Sequence, residues 1–566
     1  MVRQIFRIAV LAGAVGAMAA CKDSTLAVTN PNSGDTQRVL GTATDAENLL
    51  GGYYKRWHAG VYGTSGNISN LQGMGDIFGM MNYSSLANNC MNTHAPWSNH
   101  TNVNAPGNTC LTEQLRLYSI LGEVERVASN FLKQQAGGLS LGSAARDARA
   151  KAYAEFLRGI SIGYVALIYD SAAVVTQAMD GQDPGKLVGY QEQAESAYVA
   201  LDRAITTASS APAGGDGFPL PATWLPSTTT MTATEFVKLA KSYRARFRAQ
   251  VGRTPTEHNA AKWDLILADA QGGLTADHMV LTSTTSGPFM NWNNQYETFG
   301  LWHQMPPGII GMGDVSGSYA AWIATPISAR GAGSQSFFMV TPDTRFPQGD
   351  TRAAQNADFQ KSSCASAATK CKRYFENRVA SNDQMAGAGF GWSNYDLVRF
   401  HSWKTAGDGG QGQNGAIPLF TKAEVDMLQA EAYIRKGDYA SAMTIINASR
   451  TKNGLPALTA ADNTTPVPGG PNCVPKMPVG GTTVACGTML EAMKWEKRLE
   501  TAYVAYLPWF LDSRGWGDLA VDTPLFWPAP YQDLQARGWP SSALYGAGPG
   551  PGNAPNSSAA KGTYGW

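Results

Sequence analysis

The 566-residue chain has little charge: Asp, Glu, Lys and Arg make up 15%, against roughly 25% in an average soluble protein. A formal net charge of +1 excludes a nucleic-acid binder that works by electrostatics. Long hydrophobic runs are also missing. Ile8 to Ala20 falls short of the ~20 residues that cross a bilayer, and no other apolar run is of spanning length. No CxxC and no Cys/His cluster of finger spacing occurs, which argues against zinc. HExxH, a Walker loop and GxSxG are absent, and the seven His are scattered. Gly73-x-Gly75-x-x-x-Gly79 fails the dinucleotide spacing, and Asp180 to Gly185 carries too few ligands for a calcium loop and reads as a turn. No cofactor and no metal is expected.

Apolar residues are plentiful at 43%, which excludes a wholly disordered chain. Length alone suggests three to four domains or one large repeat array. With 61 Gly, 15 Trp, 22 Tyr and 19 Phe, the surface must be covered by Gly, Asn, Ser, Thr and aromatics. Such a surface points away from the cytosol and suits the holding of sugars.

The first residues read as a targeting segment. Arg3 and Arg7 precede the apolar run, which ends in Met18-Ala19-Ala20-Cys21, the proportions of a signal peptide. Small residues before Cys21 resemble a bacterial lipobox, with Met18 in place of the usual Leu. Residues 1–20 are the expected signal peptide, Cys21 the expected lipidation site, and 21–35 a polar tether. Several acyl chains on Cys21 would anchor the protein stably to a membrane that it does not cross. Six cysteines remain: Cys90, Cys110, Cys364, Cys371, Cys473 and Cys486. They form three local couples around Gly-, Asn-, Ser- or Pro-rich loops. Fifteen connectivities are open, and pairing within each couple is the expectation.

Several segments carry helical period. Leu115, Tyr118, Leu121 and Val124 make one stripe, ending near Phe131. Tyr153, Phe156, Ile160, Tyr164 and Leu167 make a second, with Gly159 and Gly163 placed to let a neighbour pack closely. Phe236, Leu239, Tyr243 and Phe247 make a third, with Thr234 as N-cap, and Ala260 to Ala270 reads as its antiparallel partner after a break at Arg253-Thr254-Pro255. The clearest pair spans Ala430 to Met443: Gly437 stops one helix, Asp438 caps the next, and Tyr439, Ala442, Met443 and Ile446 form the buried face. A helix–turn–helix with Gly-Asp-Tyr at the turn and Ala at contact positions resembles a tetratricopeptide repeat. One unit cannot bury its own face, so earlier pairs are its expected stacking partners.

Thr275 to Ile417 reads as a long non-helical stretch rich in Gly and aromatics, and Asn463 to Pro478 as a short Pro-rich loop. Neither is a clean linker. The expected fold is therefore mainly all-α. Tetratricopeptide-like helix pairs, about 36–273 and 418–520, build one α-helical body spanning 36–566, with a loop-rich, ligand-binding insertion of about 274–417.

Four segments in order then suggest a family. Leu26 to Asn32 (LAVTNPN) with Thr44-Asp45-Ala46-Glu47, Ala150 to Asp170, Glu424 to Pro456, and Trp495 to Glu500 (WEKRLE) with Trp509 to Leu519 resemble the signatures of SusD/RagB-type outer-membrane lipoproteins. The closing motif departs from the pattern, with Leu507-Pro508 where an Arg is usual, and the Gly/Pro-rich tail after Pro530 matches poorly. The resemblance implies a surface-exposed lipoprotein of the bacterial outer membrane. It would bind oligosaccharide nutrients, or in some members peptides, and deliver them to a SusC-like TonB-dependent transporter that it caps. It would not be an enzyme.

Sugar recognition needs aromatic faces for the C–H faces of the ring and planar polar groups for its hydroxyls. Three clusters interleave both. One holds Asn82-Tyr83, then Trp97 and Asn99 in the Cys90–Cys110 loop. The second runs from Phe289 through Trp292 and Tyr296 to Trp302-His303. The third runs from Phe390 through Trp392 to Tyr395 and Asp396. Trp97, Asn99, Trp292, Tyr296, Trp302, Trp392 and Tyr395 are the candidate ligand-binding residues, against the alternative that each aromatic only packs a loop onto the body. No catalytic residue is assigned. Trp495 and Leu499 share one helix face, and Arg498, Asp512 and Arg514 are expected to form ion pairs that lock the last helix and turn. The rival functions are an all-α glycoside hydrolase with two carboxylates beside an aromatic cleft, and a repeat scaffold that binds peptides.

Overall fold

The computed structural model describes residues 42–62, 71–81, 104–106, 112–179, 183–282, 305–326, 337–359, 373–377, 393, 395–399, 415–480, 482–504 and 507–540. The expected signal peptide, Cys21 and the tether lie outside these, as do Cys90, Cys110, Cys364 and Cys371.

The body is a succession of helices, each packed on the next: α1 (Ala43–Tyr62), α2 (Thr112–Ala136), α3 (Ala144–Ile168), α4 (Tyr190–Ser209), α5 (Ala233–Gln250), α6 (Trp263–Gln271), α7 (Lys422–Lys436) and α8 (Tyr439–Lys452). In α1 the buried side chains Ala46, Leu50, Tyr54, Trp57 and Val61 recur every three or four residues along one face. α2 buries Leu117, Leu121, Val124, Ala128 and Phe131. The expected stripe is thus displaced at its start, since Leu115 and Tyr118 are only half-buried.

α3 departs further from expectation. From Arg149 to Ile168 every residue but Lys151 is buried, because α1, α2, α4 and α5 all pack around it. A helix covered on all sides has no solvent face, so its stripe of large residues is only part of its contact surface. Gly159 and Gly163 perform the expected role. A Cβ at Gly159 would lie 2.6 Å from Leu201 Cγ of α4, and one at Gly163 only 2.2 Å from the Phe247 ring of α5.

The N-cap of α5 is Thr232, not Thr234: its hydroxyl accepts the Glu235 N–H at 3.2 Å, the Ncap-to-N3 spacing a cap requires. α6 starts at Trp263 and not at Ala260, because Pro255–Asn259 forms its own short helix, with Pro255 in its first turn and Thr254 as N-cap. α7 and α8 follow expectation. Gly437 takes φ 79°, and the Asp438 carboxylate accepts the Ser441 N–H at 3.1 Å and its hydroxyl at 2.8 Å. Ala442 and Ile446 are buried, while Tyr439 and Met443 are half-buried.

The insertion is more ordered than expected, with short helices at Pro307–Ile310, Ser318–Ala324 and Arg352–Phe359. The strands of the described residues form small antiparallel ladders. β1 (Ser171–Ala173) pairs with β2 (Leu187–Gly189) beside α4. β3 (His278–Thr282) and β4 (Phe375–Asn377) are followed by β5 (Tyr395–Leu397) and β6 (Gly415–Phe420). β3 pairs with β6 and so fastens the two ends of the insertion together, while β4 pairs with β5 within it. β7 (Lys476–Val479) and β8 (Thr483–Cys486) form a hairpin, and Cys473 and Cys486 are joined by a disulfide with Cα atoms 5.8 Å apart.

α9 (Met489–Thr501) and α10 (Pro508–Trp516) close the structure. The chain then returns to α3, where Trp527 N–H donates to the Ile168 carbonyl and Asp170 N–H to the Trp527 carbonyl. Three hydrophobic clusters among the described residues bear on the site. The largest lies among α1–α6 and one side of α7. A second unites the insertion with Trp495 and Leu499 of α9. The third lies among α7, α8 and the disulfide hairpin.

Candidate functional site

Of the candidate ligand-binding residues, Trp97, Asn99, Trp292, Tyr296, Trp302 and Trp392 lie outside the described residues. Their three segments can still be traced to their stems, which converge. Met81 opens the segment that carries Trp97. Met305 closes the one that carries Trp292, Tyr296 and Trp302. Ser393 follows Trp392 directly. Met81, Met305 and Tyr395 all belong to the insertion's hydrophobic cluster. Met305 N–H donates to the Tyr395 carbonyl at 3.1 Å, and the Ser393 hydroxyl donates to the Met305 carbonyl. Phe337 forms a bridge with Ser393, and the Tyr503 hydroxyl lies 3.5 Å from the Met81 carbonyl. The far end of the first segment is pinned elsewhere: Asn104 donates to the Ala529 carbonyl at 2.7 Å and accepts the Tyr531 N–H at 3.0 Å.

Tyr395 itself is not a ligand platform. It is 0% exposed. Its hydroxyl lies between Gln355 Oε1 at 2.8 Å and the Met339 carbonyl at 3.0 Å, and its ring packs edge-on against Phe346. Burial pushes its phenol above the ordinary value. It is the post that holds the stems.

A dense set of buried charges fixes this cluster to the body. Arg345 is fully buried and donates to Asp343 at 2.6 Å, with Glu496 at 3.0 Å and Glu500 at 3.4 Å. Its carbonyl accepts the N–H groups of Tyr374 and Phe375 at the start of β4. Trp495 Nε1–H donates to Asp343 at 2.9 Å. Glu500 also meets Arg399 at 3.4 Å and accepts the Tyr374 hydroxyl at 3.1 Å. Burial pushes the Glu496 carboxyl up, opposed by Arg345.

The expected ion pairs of the closing helix exist with other partners. Lys497 pairs with Asp512 at 2.9 Å, and Arg498 with Asp518 at 2.7 Å. Arg514 meets no carboxylate among the described residues. It donates instead to the Leu525 and Gln250 carbonyls, and burial with Arg253 nearby lowers its pKa. Backbone carbonyls were the unseen partners, and no sequence pattern advertises them. Elsewhere, fully buried Arg246 grips Glu424 through Nε and Nη2, each at 2.7 Å, and His258 Nε2 lies 2.7 Å from Glu431. Each of these groups is held by protein partners, which makes them braces.

Among the described residues no group of three His, Cys, Asp or Glu could hold a metal, and no helix is long and apolar enough to cross a membrane.

Comparison with known proteins adds to this geometry. The SusD family model matches residues 321–504, which run from the insertion into α9. The fold is similar to a SusD superfamily protein of Bacteroides thetaiotaomicron (TM-score 0.51, 14% identity, 88% of this chain and 96% of that one). It is also similar to one of Parabacteroides distasonis (TM-score 0.50, 12% identity, 88% and 97%). No curated protein matches. At such identities the structural likeness speaks for the fold and leaves function to the site.

Proposed function

We propose that this chain, whose residues 321–504 match the SusD family model and whose fold is SusD-like, is a member of that family and a lipid-anchored receptor for oligosaccharide nutrients at the bacterial outer membrane. It hands its ligand to a SusC-like TonB-dependent transporter and catalyses no reaction. Cys21 carries the anchor, and the three aromatic segments supply the site. The observation that supports this most is the convergence of their stems on Met81, Met305 and Ser393. Segments rich in Trp, Tyr and Asn that leave one rigid cluster are suited to surround a single sugar chain. The hydrolase alternative is weakened by Glu496 and Glu500, the carboxylates of the closing motif, which are buried and tied to Arg345.

The test uses the soluble chain with Cys21→Ala and no leader. It is run through native gels containing different polysaccharides while the same mixtures are assayed for reducing ends. Retardation by one glycan without new reducing ends is expected, and Ala variants at Trp97, Trp292, Tyr296 and Trp392 should abolish it. New reducing ends would establish an enzyme instead. Retardation by no glycan, with binding of peptides, would move the ligand class to peptides.

A further inference from the structure

A cavity lies away from the loop stems, between α2, α3, the β1–β2 ladder, the N-terminal part of α4 and the segment 532–537, and none of its lining residues belongs to the cluster from which the stems leave. It has a volume of about 560 Å³, within the range of small-molecule sites. Most of its wall area is apolar, from Ile162, Val165 and Val175, with the ring of Tyr118 at one side. This explains why Tyr118 of α2 is only half-buried. Charged Glu123, Arg126, Asp533 and Arg537 also line it; Glu123 is paired with Arg56 and Asp533 with Arg537, each at 2.7 Å. At Gly122, also on α2, a Cβ would meet nothing within 4 Å, because the space beside it is the cavity.

Two buried polar groups line this cavity with bonding capacity left over. Glu125 is 3% exposed. One carboxyl oxygen accepts the Val175 N–H at 2.6 Å, and the other has no hydrogen-bond partner among the described residues. It has no ion pair there either. Arg158 of α3 and Arg126 of α2 are the charged groups nearest in effect. Arg158 is bonded to Glu155 and to the Val175 carbonyl, and Arg126 donates to the Asp183 carbonyl. Gln193 of α4 is 0% exposed. Its Nε2–H donates to the Val188 carbonyl at 2.9 Å, which fixes the amide and leaves Oε1 an acceptor with no partner.

Gln193 Oε1 is an acceptor, and the spare Glu125 oxygen becomes a second one when the carboxyl ionises, so a ligand that brings both donors and a positive charge satisfies the two together. A buried carboxyl without a cation and a buried orphan carbonyl each cost stability. An alcohol brings one O–H and no charge. A primary ammonium brings three N–H donors and the missing charge, and the apolar walls take a hydrocarbon or aromatic body. We propose that this cavity is a second ligand site, specific for small primary amines with an apolar body, whose ammonium is held by Glu125 and Gln193.

Without a ligand, burial pushes the Glu125 carboxyl up to about 8. Binding an ammonium requires the ionised form, so it expels a proton below that pH. The affinity should then rise about tenfold from pH 6 to pH 7 and level off near pH 8.

The test is calorimetric titration of the soluble Cys21→Ala chain with phenethylamine, with 2-phenylethanol as the uncharged counterpart. The amine should bind at least tenfold more tightly than the alcohol and with that pH profile. Glu125→Gln should lose at least tenfold in affinity and the pH slope. Gly122→Leu, which adds a side chain to the cavity wall where a Cβ meets nothing within 4 Å, should abolish binding, and thermal unfolding would verify that both variants fold. The proposal is overturned by no binding of the amine at millimolar concentration, by equal binding of the alcohol, by a flat pH profile in the parent, or by unchanged binding in Gly122→Leu. Glycan retardation is read independently, so neither result decides the other.

Discussion

Arg345→Met probes how the insertion is held to the body, and its cost can be worked from the structure. Asp343, Glu496 and Glu500 contribute three carboxylates to one buried cluster, and Arg345, Arg399 and Arg450 contribute three guanidiniums. Arg345 and Arg450 are within 2% of full burial. Met retains much of the side chain's volume and removes one positive charge, leaving a carboxylate without compensation. Breaking a buried pair in this way costs about 3–5 kcal/mol. There is an escape: the stranded carboxyl takes a proton. From an ordinary value near 4.3, that costs roughly 3.7 kcal/mol at pH 7, at 1.36 kcal/mol per pH unit. Burial already pushes Glu496 up, so it is the group expected to take the proton. The folded variant then holds a proton that its unfolded chain releases between pH 4.3 and 7. Its deficit therefore grows with pH, from about 1 kcal/mol at pH 5 to about 3–4 kcal/mol at pH 7. Guanidinium unfolding of parent and variant at both pH values measures this. Hydrogen exchange should show 373–377 and 395–397 losing protection first, because the Arg345 carbonyl caps β4. A deficit under 1 kcal/mol at pH 7, or one equal at the two pH values, would falsify the account of a charge-balanced brace.

Two further perturbations separate packing from propensity and test the covalent staple. Gly163→Ala should destabilise by about 1–3 kcal/mol, since the new methyl meets the Phe247 ring at 2.2 Å and overpacking outweighs the helix-propensity gain; Gly122→Ala, with open space before it, should stabilise by about 0.5–1 kcal/mol. Urea midpoints that move in the same direction would refute this reading of the two glycines. Cys473→Ser should lower stability by about 3 kcal/mol for a closed loop of this size, measured against the parent without reductant, and dithiothreitol should narrow the gap.

The parts of the fold legible in the sequence are those decided by local chemistry. Gly437 and Asp438 sit next to each other, and a residue able to adopt positive φ followed by a capping carboxylate leaves little choice about where α7 ends and α8 begins. Gly159 and Gly163 announce close packing because nothing else justifies two glycines inside a strong helix. What failed is what depends on neighbours. Thr232 and Thr234 are equally good caps by type, and only the turn that precedes α5 decides which hydroxyl meets an N–H. The periodicity of α3 predicts a face, but burial on all sides follows from four helices that the segment itself does not encode. Leu115 and Tyr118 fit the apolar stripe of α2, yet they border a cavity.

The same asymmetry governs the sites. Aromatics that pack a core and aromatics that stack on a sugar have the same composition, and Tyr395 shows the difficulty. It stands three residues from Trp392 in a cluster of Trp, Asn and Tyr, yet burial and two hydrogen-bond partners make it a post. Its placement is still informative, because a post whose carbonyl accepts from Met305 brings together two segments about 90 positions apart in sequence. Sequence reading identified the clusters by what they contain, whereas their convergence comes from β3–β6 and β4–β5 pairing across the insertion. Glu125 and Gln193 lie at the other extreme. They sit on two different helices amid ordinary residues, and no motif joins them. What distinguishes them is spare bonding capacity beside one cavity, and that can be recognised only once every neighbour has been placed. A site built from unmet bonding capacity is therefore invisible to any reading that proceeds along the chain, however complete its inventory of motifs.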